Sequence, residues 1–269
     1  MNILYIGDIM ATPGIAIIEQ LLPGLRQAHK IDLVIAQSEN VTNGKGMSRV
    51  DYELLKSAGV DFFTGGNHSP KLSELHGTLE NNLLPVIGPA NMPDCPGRGW
   101  KYVDSPQGKV LVISLLGKIV GKHADKLVDN PLLTIDKILE ENQGVARAAT
   151  VVNFHGDFSS EKVVIGYYLD GRVSAVIGDH WHIPTADARV LPKGTAHITD
   201  VGMCGSLESS LGVKFDTIVQ RWRNGIVNRN ELELDGAMQF NAVLIDVEPR
   251  TQLSRSIAPI RKTYDHASN

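Results

Sequence analysis

Five short apolar runs each lead into residues that can hold a metal ion or move a proton. NILYIG (2–7) is followed by Asp8, and DLVIAQ (32–37) by Glu39 and Asn40. VDFFTGG (60–66) is followed by Asn67 and His68, and ATVVNF (149–154) by His155. VSAVIG (173–178) is followed by Asp179, His180 and His182. On an extended chain, residues i and i+2 point to the same side, so His180 and His182 are expected to grip one object together. Carboxylate, amide and imidazole groups without a thiolate suit Mn²⁺, Fe or Zn²⁺ better than a Ca²⁺ cage.

Taken singly, each position has an ordinary role. Asp8 can start a turn, Glu39 and Asn40 can sit in a solvated loop, and Asn67 and His68 can form a turn with a structural histidine. His155 can be a satisfied buried histidine. Chance does not fill the same topological position five times, and the joint pattern points to a metal centre.

The elements that position these residues follow from periodicity. The five runs read as strands. Helical patterns cover 14–30, with a disturbance at Pro23, and 49–59, 71–82, 132–143, 160–171 and 214–225. A short strand is expected at 84–90, a hairpin at 100–117, a loop from Lys118 to Pro131 and a final hairpin at 231–249. The chain beyond about residue 250 is polar and is expected to be an irregular edge or tail. Strand–helix alternation gives an α/β fold with a parallel or mixed sheet covered by helices. In open sheets of this kind ligands bind at the carboxyl edge, where the five positions fall.

The totals exclude several classes. A chain of 269 residues fits one domain, and a net charge of -4 gives no broad basic surface for nucleic acid. Cys95 and Cys204 are far apart in no paired motif, which fits a reducing, cytoplasmic setting. MNILYIGDIM has no basic leader and is interrupted by Asp8, so neither a signal peptide nor a membrane span is expected.

With these residues in hand, the chain resembles the YmdB-type metallophosphoesterases of bacteria, within the calcineurin-like superfamily. The likeness is carried by GD (7–8), SEN (38–40), GGNH (65–68) and PAN (89–91), and by FH with SEK (154–162). It continues through YYLDGRVSAVIG (167–178), HxHxxTAD (180–187) and LPKGTAHITDVGM (191–203). The resemblance implies a four-layer α/β/β/α sandwich and a two-metal centre that hydrolyses phosphodiesters, including 2′,3′- or 3′,5′-cyclic nucleotides. It also implies that Asp8, Glu39, Asn40 and His182 hold one metal. Glu39 would bridge to a second, held by Asn67, His155 and His180, with His68 as the catalytic acid. Fe or Mn, in divalent or mixed-valence form, is the implied pair, with Zn an alternative. The family forms homo-oligomers, and the expected 231–249 hairpin is a candidate contact.

The chain departs from the family pattern near the pocket. It has Asn153-Phe154-His155-Gly156-Asp157 where relatives read DFHAE, Asp179 in place of a threonine, and Gly88 in place of an arginine. Ser69-Pro70-Lys71 replaces an aromatic-acidic run. None of these removes a ligand.

The chemistry fits these residue types. Two cations clamp an in-line displacement at phosphorus, and a water between them gives hydroxide at neutral pH. Two dications with Asp8, Glu39 and hydroxide sum to about +1, which attracts a phosphodiester anion. An imidazolium at His68 protonates the departing alkoxide, an effect of roughly 10²–10⁴-fold. The rival reading is a regulatory protein that keeps the metal fold to bind a nucleotide or an RNA-processing partner with little turnover. A phosphomonoesterase on the same scaffold is a third. His29, His76, His123, His197 and His266 read as surface or structural, and Arg98, Lys118 and Lys122 as solvated loop charges. Trp181 reads as packing, with stacking on a nucleobase as the sharper alternative.

Overall fold

The computed structural model describes residues 1–120 and 128–265. Lys122, His123 and His266 lie outside the described residues. The first sheet contains β1 (Asn2–Ile6), β2 (Asp8–Ile9), β3 (Leu33–Gln37), β4 (Phe62–Thr64), β11 (Met203–Ser206), β12 (Met238–Glu248) and β13 (Leu253–Tyr264). The second contains β5 (Trp100–Ser105), β6 (Gly108–Leu116), β7 (Ala149–His155), β8 (Ala175–Asp179), β9 (Arg189–Val190) and β10 (Ala196–Ile198). β1, β3 and β4 run parallel in one sheet, and β6, β7, β8 and β10 run parallel in the other.

Side-chain alternation along these strands builds four layers. Leu4, Ile6, Val34, Ala36 and Phe63 pack outward on Ile17, Ile18 and Leu22 of α1 (Ala11–Ala28) and on Tyr52 and Leu55 of α2 (Arg49–Ala58). Their neighbours Ile3, Tyr5, Leu33, Ile35 and Phe62 face inward, onto Val110, Val112, Val151 and Ile177 of the second sheet. The far face of that sheet packs Leu111, Ile113, Val152, Phe154 and Val176 on Ile135 and Ile138 of α4 (Pro131–Glu141) and Ile165 of α5 (Ser159–Tyr168). The result is the α/β/β/α sandwich that the resemblance implied. Helix α1 continues through Pro23, and α2 starts on a Ser48 side chain that accepts from Asp51 N and stops at Gly59 in the left-handed region.

Three expectations are corrected. The 71–82 helix is instead two 3₁₀ turns, Ser69–Lys71 and Ser73–Leu75, followed by the short α3 (His76–Glu80). The 84–90 strand is reduced to one isolated bridge between Phe63 and Val86. The carbonyls this irregular path leaves open are met from elsewhere: Lys101 Nζ donates to Leu79 O, Asn81 O, Leu84 O and Val86 O at 3.2, 2.8, 3.0 and 2.8 Å. The final hairpin lies later than expected. β12 pairs antiparallel with β13 from Met238–Tyr264 to Glu248–Leu253, so the supposed tail from about 250 is a strand. β13 is exposed over much of its length, with Ile257, Ile260 and Tyr264 partly buried against the cores, and an edge strand this exposed has the composition of a tail.

Candidate active site

The parallel strands of both sheets deliver their carboxyl ends to one place. Close approach there requires glycine. A Cβ on Gly66 would lie 2.3 Å from Glu39 Oε2 and 2.6 Å from His155 Nε2, and one on Gly7 would lie 2.1 Å from Gly202 O.

All eight residues to which the resemblance gives a role meet at this edge. Asp8 and Glu39 are buried. Asn40 Nδ2 donates to Asp8 Oδ1 and Oδ2, both at 3.1 Å, and to Glu39 Oε1 at 3.2 Å, and lies 3.3 Å from His182 Nε2. His182 Nε2 is 3.4 Å from Asp8 Oδ2. Glu39 Oε1 lies 3.2 Å from His155 Nε2, which is also 3.1 Å from Asn67 Oδ1. The His180 ring meets the His155 ring edge-on at 4.5 Å between centroids. Among the described residues, Glu39, His155 and His180 each offer a ligand atom within 4.8 Å of the others. His68 N donates to Glu39 Oε2 at 2.9 Å. Its Nδ1 is 2.7 Å from Asn40 Oδ1; since Asn40 Nδ2 is occupied as a donor, Nδ1 carries the proton.

His180 and His182 do not lie on the extended chain that their spacing predicts. Both have positive φ, 108° and 64°, so the chain bends at each and the two rings do not grip one object. His180 turns to His155 and to Asp157, whose Oδ1 is 3.2 Å from its Nε2, while His182 turns to Asp8 and Asn40. Left-handed backbone at a histidine is strained and persists only where its surroundings hold it. Here Trp181 N donates to Asp200 Oδ2 at 2.9 Å and Met203 N to His182 O at 3.1 Å.

Burial and charge oppose each other across the cluster. Burial raises the Asp8 pKa above its ordinary value, and the His182 imidazole only partly offsets this. Burial also acts upward on Glu39, yet the imidazoles of His155, His68 and His180 together hold it well below the usual range. Burial acts downward on His155 and His182, but Glu39 and Asp179 raise the first well above normal and Asp8 raises the second.

Asp179 is a metal-competent position in the sequence, but the structure uses it to hold an imidazole, and Lys162 and Asp200 carry no role from sequence. Asp179 is buried, and its Oδ1 lies 2.6 Å from His155 Nδ1. Its Oδ2 accepts from Tyr5 Oη at 2.9 Å, Gln37 Nε2 at 3.1 Å and Asn153 Nδ2 at 2.5 Å. Lys162, also buried, donates to Asp179 O at 2.7 Å and Asp200 Oδ2 at 2.8 Å, with its ammonium 4.1 Å from the Trp181 ring centre. The signal was present: Asp179 and Asn153 both stand at departures from the family pattern, and Lys162 and Asp200 both lie inside motifs.

His68 also lines a cavity of about 1040 Å³. Trp181 is outside its lining; the indole is engaged by Lys162 and donates to Asp157 O at 3.0 Å, which is a packing role. Arg98 sits over Trp100, His76 bonds Pro70 O, His29 is exposed and His197 is buried on Val176 O.

Carboxylates and imidazoles converging from two sheets beside an open cavity define a hydrolytic phosphoesterase. The chain belongs to the YmdB-like protein family, whose model matches residues 4–260. It is 35% identical to the 2′,3′-cyclic-nucleotide 2′-phosphodiesterase of Bacillus subtilis (strain 168), over 99% of this chain and 98% of that one. A phosphatase structure from Mycoplasma pneumoniae superposes with a TM-score of 0.91 at 29% identity, covering 99% of this chain and 95% of the other. A hypothetical protein from Thermus thermophilus does so with a TM-score of 0.88 at 36% identity, covering 98% and 99%. Among the described residues no helix is long and apolar enough to cross a membrane.

The donor set fits divalent cations. Two buried carboxylates face imidazoles and amides with no thiolate, and the Gly66 cradle lets those groups crowd together. Asn40 presents its amide nitrogen to the acids, so it would serve as a ligand only after a half-turn of the amide brings Oδ1 round.

Proposed function

We propose that the protein is a two-metal phosphodiesterase acting on a cyclic nucleotide of the 2′,3′ type. Asp8, Glu39, Asn40 and His182 would hold one cation, and Glu39, Asn67, His155 and His180 the other, with Fe or Mn favoured over Zn. Bound cations supply charge neutralisation and Lewis-acid polarisation of the phosphoryl group.

The reaction consumes one water. A P–O bond to the water oxygen forms and the P–O bond to a ribose oxygen breaks. The ribose oxygen takes a proton from His68 Nε2, and the proton lost by the water restores the ring through solvent. The Asn40 amide holds the His68 ring at Nδ1, by Oδ1 as it stands or by Nδ2 after the half-turn, and either leaves Nε2 for this exchange. Glu39 ties the two halves of the site together, touching the His68 amide on one side and His155 on the other.

The observation that carries the reading is the position of His68, at once bonded to the acid cluster and on the cavity wall. A regulatory protein has no need of an acid there. The test is His68→Ala, with metal content measured alongside hydrolysis of 2′,3′-cyclic AMP. Metal should be retained while turnover falls by roughly 10²–10⁴-fold. Unchanged turnover in the metal-loaded variant would remove His68 from the chemistry, and a metal-loaded wild type inert on every diester would favour the regulatory reading.

A further inference from the structure

The cavity beside His68 carries more positive charge than a cyclic mononucleotide can use. One wall comes from the loop at Lys45 and from Lys71, and the other from Arg221 at the end of α6 (Phe215–Asn224) and from Arg229. Four cations and one acid, Glu231, line it, in a chain whose net charge is -4. Arg221 is set in place: its Nη2 donates to Asn228 O at 2.8 Å and Asn230 Oδ1 at 2.7 Å, while its buried Nε has no hydrogen-bond partner among the described residues. A guanidinium held in place on a cavity wall is ready to pair with an incoming oxyanion.

Size gives the same answer. The cavity, about 1040 Å³, lies just above the roughly 300–1,000 Å³ range of sites for a drug-sized ligand such as one nucleotide. A 2′,3′-cyclic nucleotide carries one phosphate charge, and that charge would be met by the cations held at the acid–imidazole cluster. The excess positive charge on the cavity walls therefore matches a substrate that bears a second phosphate.

We infer that this cavity is a subsite for a second phosphate, and that the preferred substrate is a short oligonucleotide ending in a cyclic phosphate. This rests on the phosphodiesterase reading above. The internucleotide phosphate sits between the Lys45–Lys71 and Arg221–Arg229 walls, and the apolar wall residues Val213 and Val227 pack against the extra nucleoside. The reaction itself is unchanged.

The experiment compares kcat/KM for three substrates in wild type and in Arg229→Glu. They are 2′,3′-cyclic AMP, the same nucleotide with a 5′-phosphate, and the adenosine dinucleotide with a 2′,3′-cyclic end. The dinucleotide should exceed the mononucleotide by about tenfold or more, through KM, because each charged contact to a phosphate is strong. That advantage should shrink as salt rises, and in Arg229→Glu it should fall to about twofold or less. Equal kcat/KM for mononucleotide and dinucleotide would overturn the subsite and leave the phosphodiesterase reading intact. An equal advantage for the 5′-phosphorylated nucleotide would overturn the oligonucleotide assignment in favour of a terminal phosphate. If no cyclic substrate turns over, the phosphodiesterase reading falls. Affinities for 3′-AMP and the 3′-phosphorylated dinucleotide then decide the subsite alone, equal values overturning it and tighter dinucleotide binding supporting it.

Discussion

The two sheets bring unlike chemistry to one edge. The first supplies Asp8, Glu39, Asn40, Asn67 and His68, chiefly acids and amides. The second supplies His155, His180 and His182, all imidazoles. The support differs accordingly. The acids are fixed by short loops and by one another, through Asn40 bridging Asp8 and Glu39. A carboxylate has two equivalent oxygens and accepts from any side. An imidazole has two unlike nitrogens, and the one facing a cation must be left without its proton. The second sheet therefore needs a further set of partners: Asp179 behind His155, and the Lys162–Asp200 pair behind the His180–His182 bend.

Removing an acid from the first sheet should have the largest effect. Asp8→Ala is expected to lose bound metal and to bring turnover below detection, measured by elemental analysis and diesterase assay on one sample. A variant that keeps both metals and turns over normally would show that the second sheet suffices.

On the second sheet the largest effect should be on stability. Lys162→Met leaves the Asp200 carboxylate buried without its ammonium, a loss of about 3–5 kcal/mol. A chemical denaturation midpoint compared with wild type reads it directly. A loss under about 1 kcal/mol would mean that the backbone holds the bend without the pair.

Asp179→Asn separates orientation from stability. The amide oxygen can still accept from Tyr5, Gln37 and Asn153, but its NH₂ then faces His155 Nδ1 and pushes the ring proton to Nε2. That nitrogen faces Glu39 and Asn67. Metal affinity should fall about 10–100-fold while folding is little changed. Asp179→Ala should lower both, because three buried donors lose their acceptor. Equal metal affinity in wild type and Asp179→Asn would mean that Asp179 serves the core and not the ring.

The same contrast explains what the sequence disclosed. Asp8, Glu39 and the others were legible because each follows an apolar run, and parallel strands bring such ends together whatever the loops do. The pattern also carried the layers, since alternate residues such as Leu4 and Tyr5 face different cores. The directions of His180 and His182 were not legible, because they depend on positive φ values held by Asp200, twenty residues away from His180. Nor was β13, whose partner is inside the sheet while most of its own side chains are exposed. Residues 71–82 and 84–90 read as a helix and a strand because local propensities do not reveal Lys101, which satisfies the carbonyls that the irregular path leaves open.

Lys101 joins the two sheets and yields the smallest effect. It projects from β5 in the second sheet to the segment that leaves β4 in the first. Burial pushes its ammonium down to about 8. An unfolded chain holds that proton up to about 10.4, so between these values it binds more protons than the folded chain. Stability from this group therefore rises with pH across the window from about 8 to about 10.4, and below about 8 the full cost of burying the charge is present. Lys101→Met has no such titration. The difference in Tm, wild type minus Lys101→Met, should increase from pH 8 to pH 10 and stay flat from pH 6 to pH 7. A difference that is constant over the whole range would mean that the four carbonyls hold the ammonium as well as water does, and that the link between the sheets carries no cost of charge burial.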